Sequence, residues 1–329
     1  MLKTLKKALA AVGMAAMASA AIAADEIKSL NFGIISTDST QVLRETWTPF
    51  LNDMSKKMGI EVKPFFASDY AGIIQAMRFD KVDVAWFGNK SAIEAVDRSG
   101  GEVFAQTVDN EGNPGYWSLL ITHKNSPLNT VEDLIKNAND LTFGNGDPNS
   151  TSGFLVPSYY VFAKNSVEPK KVFKRVTNAN HETNALSVAN QKVDFATNNT
   201  ENLRRIEEKF PEKHDQIKII WKSPLIPSDP IVWRKNLPES AKSDIYRFFM
   251  SYGKSGDKQE LANLDKLQWL PFRPSSDDQL LPIRQLVLFK DRLQKVNSGK
   301  ATKAELAEID EKLAVLNRRM AALEAMASN

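Results

Sequence analysis

The sequence predicts an α/β protein built as two units with a cleft between them, followed by a helical tail. Three observations carry this reading. Short β-rich apolar runs alternate with stretches of helical period, the alternation restarts after the turn signal Pro114-Gly115, and the residues from 299 onward change to an Ala/Lys/Glu-rich pattern.

The first unit opens with runs at 30–36 (LNFGIIS), 60–68 (IEVKPFFAS), 82–88 (VDVAWFG) and 103–109 (VFAQTVD). Between the first two, Leu43, Trp47, Phe50 or Leu51, and Met54 recur three and four apart, the buried stripe of an amphipathic helix. Strand, helix, strand in this order predicts a parallel sheet. After NPGYWSLLITH the pattern repeats with DLTFGNG, VFKRVTNAN, VDFATNN and IKIIWKS, then returns through IVWR at 231–234 into a helix whose face holds Ala241, Ile245, Phe248 or Phe249, and Tyr252. The expected organisation is a first unit over 24–117 and 236–298, a second over 118–235, and a tail over 299–329. In the tail, Leu306, Ile309, Leu313, Leu316, Met320 and Leu323 follow a heptad-like spacing. Such a stripe packs on its own domain or on a second copy of the chain, and self-association through it is the sharper of the two expectations.

Charge and composition narrow the function. Lys3, Lys6 and Lys7 precede an Ala/Met-rich run ending in Ala21-Ile22-Ala23, the layout of a secretory signal peptide over 1–23, so the mature chain is expected to be exported. The chain holds 43 basic and 40 acidic residues, and the excess is those three lysines. An even balance argues against a nucleic-acid partner, which needs clustered Lys and Arg. The absence of cysteine excludes disulfides, thiolate metal sites and a lipoprotein anchor.

Four stretches hold candidate chemistry. FGNGDPNSTSG (143–153) has the layout of a phosphate-gripping loop but lacks the lysine of a P-loop and the third glycine of a dinucleotide fingerprint. It offers Ser150, Thr151 and Ser152 beside the free N–H groups of a helix start, which attract an anion; one serine there would be only an N-cap, but three successive hydroxyls exceed what capping needs. Pro157 predicts a distorted first turn. NHETNALSVAN supplies His181 at another helix start, with Ala185 where a His-Glu-x-x-His zinc motif needs its second histidine. Glu201 in TNNTEN and Asp229 in PLIPSDPIVW are loop carboxylates, and Tyr70 and Tyr116 are aromatic residues near turns. Taken singly, these read as caps and core residues. No metal, cofactor or catalytic residue is expected, because the chain lacks a paired-histidine motif, an aspartate-rich cluster and a nucleophile with a positioned base.

Taken together, FGIIS, DYAGIIQAMRFDKVDVAWFGN, GYWS, FGNGDPNSTSGFLVP, NHETNALSVAN, TNNTEN and SPLIPSDPIVWRKNL resemble the periplasmic phosphonate-binding proteins of ABC-type phosphonate importers over residues 30–289. The resemblance implies a type II periplasmic-binding-protein fold with a hinge and an interdomain ligand cleft. It also implies a periplasmic location and a membrane permease as partner. At the matching positions it implies Ser150, Thr151, Ser152 and His181 around the phosphonate, with Tyr116 nearby, and Glu201, Asp229 and Tyr70 facing the ammonium of 2-aminoethylphosphonate. Asn180, Ser158 and Ser228 stand where the family pattern has glycine. A same-fold receptor for phosphite, phosphate or another alkylphosphonate is the alternative, followed by an exported hydrolase.

Overall fold

A computed structural model describes residues 27–327; the expected signal peptide lies outside the described residues. The chain runs β1 (Ser29–Ile34), α1 (Thr40–Met58), β2 (Glu61–Phe66), α2 (Tyr70–Arg78), β3 (Val84–Trp86), α3 (Asn89–Arg98) and β4 (Gly101–Asp109). It crosses through β5 (Gly115–Tyr116) into β6 (Ser118–His123), α4 (Val131–Lys136) and β7 (Thr142–Asn145). Two π-helical turns, Thr151–Leu155 and Ser158–Phe162, precede α5 (Pro169–Val172), β8 (Arg175–Asn178), α6 (His181–Ala189), β9 (Phe195–Asn199), α7 (Thr200–Lys209), α8 (Pro211–His214) and β10 (Ile217–Lys222). The return passes β11 (Ile226–Pro227) to β12 (Pro230–Arg234), α9 (Glu239–Ser251), α10 (Lys258–Lys266), β13 (Trp269–Pro274), α11 (Leu281–Asn297) and α12 (Lys303–Ala327).

The strands form two main sheets, ordered β13-β4-β12-β3-β1-β2 and β10-β6-β9-β7-β8. β2, β1 and β3 are parallel as expected, but β12 is antiparallel to both β3 and β4, and β13 is antiparallel to β4. The first sheet is therefore mixed. β12 also belongs to the first sheet, so the chain re-enters the first unit before Pro230 rather than after residue 235. Its Ile231 and Val232 are fully buried between β3 and β4, so this strand completes the core of the first unit.

Each unit has its own core. Phe32, Trp47, Phe50, Phe249 and Phe272 anchor the first, and Phe143, Phe162, Phe173 and Phe195 form an aromatic cluster in the second. β5 and β11 pair antiparallel as a two-stranded ribbon where the chain crosses between units. Gly115 is required there, because a Cβ would strike the Ile226 carbonyl oxygen.

This topology aims both units at one place. The carboxyl ends of β1, β2 and β3 lead to the starts of α1, α2 and α3; those of β7, β8 and β9 lead to the first π-helical turn, α6 and α7. In open α/β sheets a ligand sits outside the carboxyl ends of the strands, where backbone N–H groups and helix dipoles converge. α12 folds back antiparallel on α11, with Arg292–Asp310 and Lys295–Glu305 ion pairs at 2.6 Å each, and buries Ile309 and Leu313. Part of the heptad stripe thus packs on its own domain.

Candidate functional site

The glycine-rich stretch becomes the end of β7 followed by a wide helical turn. Ser150 caps it, its Oγ accepting from Gly153 N at 2.9 Å, and Leu155 N bonds the Ser150 carbonyl five residues back. The distortion expected from Pro157 takes the form of π-winding. Thr151 Oγ1 accepts from Lys90 N at 2.9 Å, at the start of α3 in the opposite unit, and this leaves the hydroxyl hydrogen free to donate. Gly88 makes room for this meeting: a Cβ on it would lie 3.2 Å from Thr151 Oγ1 and 3.9 Å from Asp229 Oδ1.

His181, the first residue of α6, brings Nε2 to 3.5 Å from both Ser150 Oγ and Ser152 Oγ. Asn199 fixes its tautomer. The Asn199 Oδ1 caps α7 by accepting from Asn202 N at 2.7 Å, so Nδ2 faces Ser152 Oγ at 3.1 Å and His181 Nε2 at 3.3 Å. An amide NH2 can only donate, so Nε2 accepts and the proton sits on Nδ1, a buried nitrogen with no partner among the described residues. Burial lowers the His181 pKa to about 4, with Asp38 opposing the shift and Arg205 adding to it. The ring is neutral at neutral pH.

The other end of the site is acidic. Asp229, in the loop between β11 and β12, accepts from Tyr116 Oη at 3.0 Å on Oδ1 and from Trp86 Nε1 at 3.1 Å on Oδ2, while its backbone N–H donates to Thr107 Oγ1. Burial, followed by the neighbouring Glu201, holds the Asp229 carboxyl well above the usual range, against the two hydrogen bonds. Burial also raises Glu201, with Arg205 opposing. The Glu201 side chain makes no hydrogen bond or ion pair among the described residues. Burial pushes both tyrosine phenols up, each further raised by nearby carboxylates.

Of the eight sequence-predicted residues, Glu201 is half-buried and the other seven are buried; Ser150 and Ser152 approach His181, Tyr116 bonds Asp229, Thr151 and Asp229 both lie against Gly88, and Glu201 lines a pocket with Tyr116. Tyr116 bonds Asp229, while the Tyr70 phenol lies near both Ser150 and the Asp229 carboxylate. The units are in contact across the cleft: Tyr70 N donates to Asp147 Oδ2 at 3.2 Å, Ser39 N to Glu182 Oε2 at 3.3 Å, and Arg204 pairs with Asp109 at 2.6 Å. Sequence reasoning missed Trp86, Asp38, Asn199 and Arg205. TNNTEN carried a signal for Asn199, an amide-rich run at a strand end, and STDST offered one for Asp38.

Residues 32–280 match the family described as ABC transporter, phosphonate, periplasmic substrate-binding protein. The chain belongs to this family of periplasmic receptors. It is 59% identical over 320 residues to the phosphonates-binding periplasmic protein of Escherichia coli (strain K12), covering 96% of this chain and 94% of that protein. The crystal structure of a binding protein component of an ABC phosphonate transporter from Pseudomonas aeruginosa superimposes with a TM-score of 0.89 at 57% identity, covering 91% of this chain and all of that one. A Prochlorococcus marinus protein solved with methylphosphonate shares the fold, with a TM-score of 0.70 at 23% identity over 79% of this chain and 97% of that one. These relatives are transport receptors rather than enzymes, and the chain is a periplasmic phosphonate receptor of the same kind with the two-domain type II fold. Among the described residues no helix is long and apolar enough to cross a membrane, and no cluster of metal-ligating side chains occurs.

Proposed function

We propose that the phosphonate taken by this receptor carries an amino group, 2-aminoethylphosphonate being the compound whose two ends the site fits, and that the receptor closes around it before delivery to its permease. The observation that carries the reading is Glu201, an unpartnered carboxylate beside buried Asp229. Two acids in one water-poor site repel each other and resist ionising, and an ammonium between them relieves both costs. An inorganic anion or an uncharged alkyl group gives them nothing to bind.

The opposite end suits a dianion that must later be released. Ser150, Thr151 and Ser152 supply hydroxyl donors beside a neutral His181 and without a fixed counter-charge, since the Lys90 ammonium is turned to Asn149 at 3.4 Å and Glu94 at 3.8 Å. Calorimetric titration with 2-aminoethylphosphonate, methylphosphonate, phosphate and phosphite tests the reading. The expected order places the aminophosphonate first; equal or tighter binding of phosphate or phosphite would overturn it. Small-angle scattering should show compaction on saturation with the preferred ligand, because Tyr70 and Asp229 reach the site from the first sheet's side and Ser150, His181 and Glu201 from the second's.

The receptor is further inferred to self-associate through α12. Leu316, Met320 and Leu323 remain half-exposed and Val315 is exposed; Val315 and Leu316 line, with Ile93, Val287, Leu288 and charged residues of α3, α11 and α12, a groove of about 700 Å³ that a second copy would cover. Light scattering on the mature chain tests this, and a monomer at high concentration would dispose of it.

A further inference from the structure

Glu201 and Arg205 stand four residues apart on α7, acid before base, the spacing and order in which a helix pairs its side chains. In this structure they are not paired. Arg205 reaches instead into the first unit, where its Nε lies 3.5 Å from Asp38 Oδ2 and its Nη1 donates to Gln268 Oε1 at 3.3 Å. Two further contacts made by α7 accompany this docking. Asp38, which accepts from the Thr37 hydroxyl at 2.7 Å within its own unit, also accepts from Asn202 Nδ2 at 2.8 Å, and Gln268, in a left-handed backbone conformation, φ 65°, sends its Nε2 to Glu208. Arg205 belongs to the second unit and both acceptors to the first, so this docking exists only while the units are together.

We propose that Arg205 is a closure-dependent positioning residue: in the open receptor it pairs with Glu201 along α7, and on closure it passes to Asp38 and Gln268, freeing Glu201 for the ligand's ammonium as the units meet. The proposal rests on the reading of Glu201 as an ammonium acceptor. A guanidinium left on Glu201 would occupy the lone pairs that the ammonium needs and repel it at short range. Closure without an ammonium would in turn leave Glu201 and Asp229 as neighbouring acids with no cation between them, an unfavourable state. The exchange therefore ties the closed form to an aminophosphonate, and it does so through a residue that does not touch the ligand.

A double-mutant cycle tests this. Affinities for 2-aminoethylphosphonate and methylphosphonate are measured by calorimetry for wild type, Asp38→Asn, Arg205→Gln and the double variant, and expressed as the ratio of the two. Asp38→Asn removes the docking charge but not the shape, so Arg205 stays on Glu201 and the aminophosphonate preference falls roughly tenfold or more. Removing Arg205 then restores the preference, and the gain is several-fold larger in the Asp38→Asn background than in the wild-type background. Equal gains in both backgrounds would mean that Arg205 acts only as a fixed charge, and would overturn the exchange while leaving the ammonium reading intact. A wild type with no aminophosphonate preference would overturn both. Should Asp38→Asn fail to fold, the guanidinium resonances of Arg205 followed by 15N NMR in the ligand-free receptor decide: slowed guanidinium rotation that Glu201→Gln releases shows the pairing in the open form, and rotation that Glu201→Gln leaves unchanged overturns it.

Discussion

The phenol of Tyr116 donates to Oδ1 of Asp229 at 3.0 Å, and this contact joins the crossing strand β5 to the loop that leads back into the first sheet. The proposed ligand site and the crossing between the units are thus one construction. A carboxylate this deeply buried depends on its donors, and Trp86 supplies the second.

Tyr116→Phe is expected to strand Oδ1 of Asp229 without changing the shape of the core. Loss of a donor to a buried acceptor costs about 1–3 kcal/mol, so the melting temperature of the ligand-free receptor should fall while its circular dichroism is retained. A variant as stable as wild type would show that the phenol contributes only packing.

Thr151→Ala removes a hydroxyl that accepts from Lys90 N and has its own hydrogen to give. If that hydrogen goes to the phosphonate group common to all ligands, every member of a phosphonate panel should weaken by a similar factor. A hydrogen bond to a charged group contributes about 1.5–3 kcal/mol, roughly tenfold to a hundredfold in affinity. Unchanged affinities would make Thr151 a contact between the units and nothing more.

The sequence showed the alternation of strands and helices because each is written locally, in spacing and in β-rich runs. It did not show that β4 runs antiparallel to β12, or that β12 lies in the first sheet, because strand direction is set by how the chain returns from the second unit and not by any local period. The site divides in the same way. Ser150 to Ser152 were legible as a surplus of hydroxyls behind a glycine turn, whereas Asp38 and Asn199 each look like an ordinary helix cap and Trp86 like core. Their roles arise only when two strand ends, far apart in sequence, are brought face to face.

His181 predicts a pH dependence of stability. Its folded pKa of about 4 lies below the ordinary 6.5, so between these values the unfolded chain binds a proton that the fold refuses. The contribution is fully present above about pH 6.5 and is lost as pH falls toward 4, by an amount of order 3 kcal/mol. Glu201 and Asp229 act in the opposite sense, since acids raised by folding lose their contribution as pH rises. The measurement is therefore the difference between wild type and His181→Gln in urea unfolding across this range. Wild type should lose stability relative to the variant as pH falls, and parallel curves would mean that His181 is protonated in the fold.

Glu201→Gln tests the proposed contact with a ligand ammonium. The amide keeps the shape of the side chain and removes its charge, leaving Asp229 alone to hold an ammonium that has been taken out of water. Removing one partner of a desolvated, hydrogen-bonded charge pair costs about 2–5 kcal/mol, much of it from the stranded charge. Affinity for 2-aminoethylphosphonate should fall accordingly. Methylphosphonate has no ammonium, and the carboxylate that it leaves unpaired is neutral in the variant, so its affinity should hold or rise. The ratio of the two affinities, taken by calorimetry on wild type and variant, separates this role from a structural one. A large fall in the ratio assigns Glu201 to the ammonium, whereas an equal loss for both ligands would place it among the residues that only shape the start of α7.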